Sequence, residues 1–236
     1  MTLDTATRLT EVLLALAFIQ QSAEHLRRFR DEQVLFLARM ALCVLVILGA
    51  MTPQSLTSWS LAPWPLVGLA LLSLVILHRF QGPFNGGSDR MGLLALWCLT
   101  LSECLPTEKG REIAFGYLGA QVVLSYFIAG WVKIVNPDWR NGRALRQVFA
   151  FSAYPVSEGV RGWATQPAIL HAMSWAVILF EIGFPLTLAS RPTLVVGLAV
   201  AGVFHLANAC LFGLNRFFWT WPAVYPAIIW LQGRLF

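Results

Sequence analysis

Near-continuous apolar runs, each long enough to cross a lipid bilayer, constrain this chain more than any other feature. A helix needs about 20 mostly apolar residues, at about 1.5 Å rise each, to traverse the hydrocarbon layer. Such runs fall at roughly 34–51, 62–79, 91–105, 113–133, 166–190, 193–213 and 217–233. Pro and Gly punctuate the gaps, at Thr52-Pro53, Ala62-Pro63, Gln81-Gly82-Pro83, Leu105-Pro106, Asn136-Pro137 and Arg191-Pro192. Composition agrees with the runs: of 236 residues, 57% are hydrophobic and 12% are charged, against about 25% charged in soluble domains. So little polar surface excludes a cytosolic enzyme, a disordered chain and a free nucleic-acid binder. The expected fold is therefore an all-α, polytopic membrane bundle of seven or eight helices.

The count depends on the N-terminus. Val12, Ala15, Leu16, Ile19, Ala23 and Leu26 lie on one helical stripe, while Glu11, Gln21, Glu24 and His25 face elsewhere. A helix over 9–26 is amphipathic, and either lies at the interface or spans against other helices. The expected organisation is residues 1–33 as this helix with a basic linker, and residues 34–236 as the bundle. The short apolar stretch after Glu11, without a small-residue cleavage site, does not read as a cleavable signal. The four Cys show no paired spacing and read as buried thiols.

The net charge of +5 is a matter of placement. Threading seven spans from residue 34 puts Arg27, Arg28, Arg30, Arg79, Arg90, Lys133, Arg140, Arg143, Arg146, Arg161 and Arg216 on one side. The other side receives Lys109, Arg111, Arg191 and Arg234. Such a bias marks the first side as cytoplasmic, so residues 134–165 are expected in the cytoplasm and the bilayer is the expected first partner. Arg140, Arg143 and Arg146 would share one short basic surface helix, an anchor for anionic headgroups or a contact for an acidic partner. Asn85 and Asp89 are candidate caps for the helix that follows the Gly86-Gly87 turn.

Ionisable and polar residues inside apolar segments are the functional candidates, because lipid solvates them poorly. Lys133 ends the run Ser125-Tyr-Phe-Ile-Ala-Gly-Trp-Val-Lys133, and helical spacing puts Tyr126 and Gly130 on its face. Glu181 lies deep in the 166–190 segment, with His171 and Ser174 on the same helix, and Pro185 is expected to kink it. His205 and Asn208 lie one turn apart in the next segment. Each has a structural reading: Lys133 snorkelling to headgroups, His205 with Asn208 bonding between helices, Glu181 protonated or paired, and the Tyr126–Gly130 face as packing. The functional reading is that the three polar stripes converge on one intramembrane pocket. Serine-hydrolase, P-loop and zinc-protease motifs are absent. Neither paired broken helices nor an inverted repeat supports a transporter.

The run Tyr126-Phe-Ile-Ala-Gly130-x-x-Lys133, with Asp138-Trp139 and Gly142 after it, resembles the transmembrane region of the vitamin K-dependent γ-carboxylases, the HTTM (horizontally transferred transmembrane domain) family. Phe204-His205-x-x-Asn208 and the acidic Leu179-Phe-Glu181-Ile-Gly-Phe segment follow in the family's order. Val132 stands where carboxylases have a second lysine. The resemblance implies that Lys133 is a base for a quinol, menaquinol or ubiquinol, and must be neutral near pH 7 to act. It implies His205 and Asn208 as further catalytic groups orienting the quinol oxygens, with Tyr126, Gly130 and Glu181 around the cofactor. It also implies oxygen as a reactant and a peptide or lipid as substrate, in a bacterial inner-membrane protein. The competing expectation is a non-catalytic accessory subunit of a larger redox or photosynthetic membrane complex.

Overall fold

A computed structural model describes residues 1–28, 30–52, 63–80, 86–151 and 158–236. Among the described residues all regular structure is helical, as the apolar runs require. The helices are α1 (Leu3–Arg28), α2 (Gln33–Met51), α3 (Pro63–Arg79), α4 (Gly87–Cys104), α5 (Glu108–Val135), α6 (Pro137–Arg140), α7 (Arg143–Phe151), α8 (Glu158–Arg161), α9 (Pro167–Gly183), α10 (Arg191–Phe212), α11 (Asn215–Ala223) and α12 (Tyr225–Leu235). Among the described residues, four helical segments are long and apolar enough to cross a membrane: Arg30–Met51, Glu108–Val135, Pro167–Ala189 and Arg191–Phe212. The expected 217–233 segment is broken between α11 and α12, where Pro222 and Pro226 interrupt the backbone hydrogen-bond ladder. The chain forms two compact units, residues 1–120 with 219–235, and residues 121–218 with Phe236.

In the first unit α1 runs antiparallel along α2. Near its start, Arg8 Nη1 donates to the Ala50 and Thr52 carbonyls, both at 3.1 Å, satisfying acceptors at the end of α2. Near its end, the His25 ring stacks on Phe36 at 4.5 Å. The buried face of α1 mixes polar with apolar side chains. Glu11, Gln21 and His25 are buried, as are Thr7, Thr10 and Ser22, while Leu9, Leu13 and Leu16 are exposed. Within the apolar stripe of the sequence Leu16 and Ala23 are exposed, Val12, Ile19 and Leu26 are half-buried and Ala15 is buried, and Leu14, Ala17 and Phe18 are buried beside the polar groups. Arg111 ties the helix ends at the start of α1, reaching Asp4 at 3.0 Å and Glu103 at 3.3 Å. At the other end Arg79 pairs with Glu32 at 2.5 Å.

In the second unit, Asn136 caps α6 by accepting from the Asp138 amide at 2.9 Å, with Pro137 at the first helical position. Gly142, at φ +78°, then turns the chain, and α7 begins at Arg143. Arg140, Arg143 and Arg146 therefore do not share one helix, contrary to the even spacing of the sequence. Arg140 ends α6, and Arg143 is paired with Asp138. A side chain at 142 would meet the His171 backbone at 3.1 Å, in a conformation that favours glycine. Leu145 and Phe149 of α7 pack with Leu170 and Phe212. At Pro185, where the missing amide predicts a kink, α9 gives way after Gly183 to a 3₁₀ segment, Phe184–Ala189. Ser190 and Thr193 form a reciprocal capping box that starts α10. The expected Asn85 cap lies outside the described residues. The N-cap of α4 is Gly86 rather than Asp89, whose carboxylate accepts from the Gln21 amide at 2.7 Å.

Candidate active site

Three elements of the second unit bring the predicted residues together: the last turns of α5, the end of α9, and α10. Gly130 makes the approach of α5 to α9 close. A Cβ there would lie 2.6 Å from the Ile182 amide nitrogen and 2.9 Å from Glu181 Cβ. With no side chain at 130, the neighbours one turn to either side meet α9 directly.

Toward the end of α5, Lys133 Nζ lies 2.6 Å from Glu181 Oε2 and 3.3 Å from the Ala129 carbonyl. The Lys133 side chain is 16% exposed and that of Glu181 5%. The carboxylate is thus sealed in, and its partner keeps a narrow route outward. The ammonium also sits 5.1 Å from the centroid of the Trp139 ring, within range of a cation–π contact. Trp139 is held there from α9. Ser174 Oγ donates to the Trp139 carbonyl, and Trp175 Nε1 donates to the Arg140 carbonyl at 3.0 Å. Ser174 thus orders the short helix that carries the ring, while His171 is exposed and takes no part in the cluster.

One turn before Gly130, the Tyr126 hydroxyl and His205 Nε2 are 2.7 Å apart. Both residues are 2% exposed. The Tyr126 ring stacks on Phe184 at 4.0 Å and meets Phe180 edge-on at 5.6 Å, and His205 is flanked by Phe204 and Phe217. Asn208 is half-buried one turn beyond His205. Its carbonyl accepts from Gly213, whose φ of +68° ends α10.

Two polar pairs therefore flank Gly130 on one face of α5. The outer pair is ionic and in limited contact with the surroundings. The inner pair is a tyrosine–histidine hydrogen bond encased in aromatic rings. Tyr126, Gly130, Lys133, Glu181 and His205 are joined through α5. Trp139 belongs with them, although in the sequence it reads only as an interface anchor. The signal for it was the short Asn-Pro-Asp-Trp turn, which folds the ring back over the lysine.

A family model described as the HTTM domain matches residues 113–230, half of the chain, and the matched span contains every one of these residues. No curated protein and no solved structure matches the chain. The resemblance carried by the Lys133 and His205 segments is thereby borne out at the level of the family: the chain belongs to the HTTM domain family, a family of transmembrane domains.

Proposed function

We propose that the protein is a quinol-dependent membrane enzyme in which the Lys133–Glu181 pair is the base. The observation that carries this reading is the 2.6 Å contact between Lys133 Nζ and Glu181 Oε2 inside apolar helices, with the more exposed partner facing an aromatic ring. With lysine protonated and glutamate ionised, the pair has no net charge. It can take one proton from a quinol hydroxyl, ending as an ammonium beside a carboxylic acid and leaving a quinolate. The proton goes to the Glu181 carboxylate, and the quinolate left behind becomes the counter-charge of the Lys133 ammonium, so neither charge stands alone in hydrocarbon. Trp139 offers a flat apolar surface to a quinone ring. His205, acting through the Tyr126 hydroxyl, positions the α5 face, and Asn208 lies on the same side of α10. The family resemblance supports menaquinol or ubiquinol as the quinol, oxygen as its reaction partner, and a peptide or lipid as final substrate. The basic residues around residues 134–165 support a cytoplasmic location for that segment in a bacterial inner membrane.

The test is oxygen-dependent oxidation of a short-chain menaquinol by the purified protein. Lys133→Ala and Glu181→Gln should each lower turnover at least 100-fold while helical content is kept. A folded Lys133→Ala protein with unchanged turnover removes Lys133 as the base.

The accessory-subunit reading is favoured by one observation: Lys133 and Glu181, and likewise Tyr126 and His205, satisfy each other, as structural cross-links between helices do. Purification in mild detergent separates the two. A stoichiometric membrane-protein partner with no quinone supports the accessory role, and a bound quinone on the solitary chain supports the enzyme.

A further inference from the structure

Helix α7 has an apolar arc wider than the bundle covers. At about 100° per residue, Phe151, Val148, Leu145 and Phe149 fall side by side on one arc, and Arg143, Arg146 and Gln147 take the other side. Leu145 and Phe149 are buried against Leu170 and Phe212. The rest of the arc is bare, with Val148 37% and Phe151 81% exposed. Trp163, whose ring lies 6.0 Å from that of Phe149, is 42% exposed as well. On the polar side Arg143 is tied to Asp138. Arg146, and Arg140 at the end of α6, are exposed and pair with no carboxylate among the described residues.

The contacts of α7 set its depth. Leu170 lies in the first turn of α9, and Phe212 is the last residue of α10. Both belong to segments long and apolar enough to cross a membrane. Helix α7 therefore packs where two spans end, at the boundary between hydrocarbon and headgroups. A bare apolar flank beside an arginine flank suits that level, because acyl chains take the first and phosphates the second. The guanidinium fork matches phosphate oxygens. Across Pro137–Phe151 three arginines stand against one acidic residue, Asp138, so the surplus charge favours lipids with a net negative headgroup. An acidic protein in the aqueous phase answers the arginines and leaves Phe151 and Val148 against water. The bilayer answers both flanks at this depth.

We propose that α7 is an interfacial helix that selects anionic phospholipids. Arg146, with Arg140 at the end of α6, holds their phosphates, and Val148 and Phe151 rest on their acyl chains. Nothing in this assignment uses the Lys133 chemistry, so failure of either reading leaves the other standing.

The test is site-specific photocrosslinking of the full chain in vesicles of equal parts dioleoylphosphatidylglycerol and dioleoylphosphatidylcholine. Benzoylphenylalanine replaces Gln147 in one protein and Phe151 in another, and the adducts are identified by mass. Both positions should give lipid adducts. At position 147, on the arginine side, phosphatidylglycerol adducts should exceed phosphatidylcholine adducts at least threefold. Adding Arg140→Gln and Arg146→Gln should bring that ratio to about one without lowering the unfolding temperature. Arg146→Gln alone should at least halve the excess, and it decides the matter if the double variant does not fold. Equal adducts of the two lipids with both arginines present overturn the proposal. So does an excess that the substitutions leave in place. Absence of lipid adducts at either position also overturns it, and absence at both gives the face to an acidic protein instead.

Discussion

One methyl group added at Gly130 should push α5 and α9 apart and break the ion pair next to it. A Cβ at 130 would sit 2.6 Å from the Ile182 nitrogen, 2.7 Å from Ile182 Cγ1 and 2.9 Å from Glu181 Cβ. Two of these atoms belong to the chain close to its backbone and cannot swing aside. Restoring ordinary contact requires a separation of about 0.8 Å, and overpacking of this kind destabilises by about 1–3 kcal/mol. Moved rigidly, Glu181 would stand about 0.8 Å farther from Lys133, stretching a 2.6 Å contact beyond good hydrogen-bond length. Thermal unfolding of Gly130→Ala in detergent should therefore occur about 3–10 °C below wild type, at about 2–4 °C per kcal/mol for a chain of this size. Gly202→Ala on α10 is the matched control. Nothing lies within 4 Å of the methyl it would add, and alanine is the better helix former by about 1 kcal/mol. It should unfold at or slightly above the wild-type temperature. If Gly130→Ala unfolds with the control rather than below it, the two helices are not in the close contact on which the site depends.

Lys133→Met alone leaves a carboxyl among apolar neighbours and should destabilise by about 3 kcal/mol, whereas Lys133→Met with Glu181→Leu should recover at least half of that loss. Unfolding of the four proteins in the cycle measures this, and strict additivity of the two single changes would contradict a direct pair. Tyr126→Phe keeps the ring on Phe184 and removes the hydroxyl beside His205, so it should lower stability by about 1 kcal/mol. An unchanged unfolding temperature would mean that this bond contributes nothing net.

Much of the site was legible because its logic is local. Tyr126, Gly130 and Lys133 share a face by helical period alone, and Glu181 stood out because a carboxylate in an apolar run demands a partner. Which partner it takes was not legible. The Lys133–Glu181 contact joins residues 48 apart in sequence, and only the packing of α5 on α9 selects it over the other candidates. The even spacing of Arg140, Arg143 and Arg146 misled for a related reason. A period of three implies one helix only if the helix is continuous, and Gly142 at φ +78° divides it. Trp139 carried a weak signal, since an aromatic beside a boundary lysine is common, and its place over Nζ depends on the Ser174 bond from another helix.

The first helix shows how little an apolar stripe alone decides. In water an apolar stripe is the face a helix buries, so Val12, Leu16 and Ile19 would mark the core. In α1 that stripe is divided: Leu16 is 40% exposed and Val12 and Ile19 are half-buried, while Gln21 and His25, on another face, are 9% and 3% exposed. Packing within each unit combines buried apolar side chains, Leu14, Phe18 and Phe36 in the first and Phe149, Leu170 and Ile178 in the second, with the buried polar ones, and close helix contacts at Gly119 and Gly130. The rule that follows is physical. In a chain whose surroundings are apolar, hydrophobicity reports which segments lie in the membrane, and the few polar residues inside them report which way is in. Applied to α5, α9 and α10 that rule finds Tyr126, Lys133, Glu181 and His205, and applied to α1 and α2 it finds Gln21, His25 and Arg39.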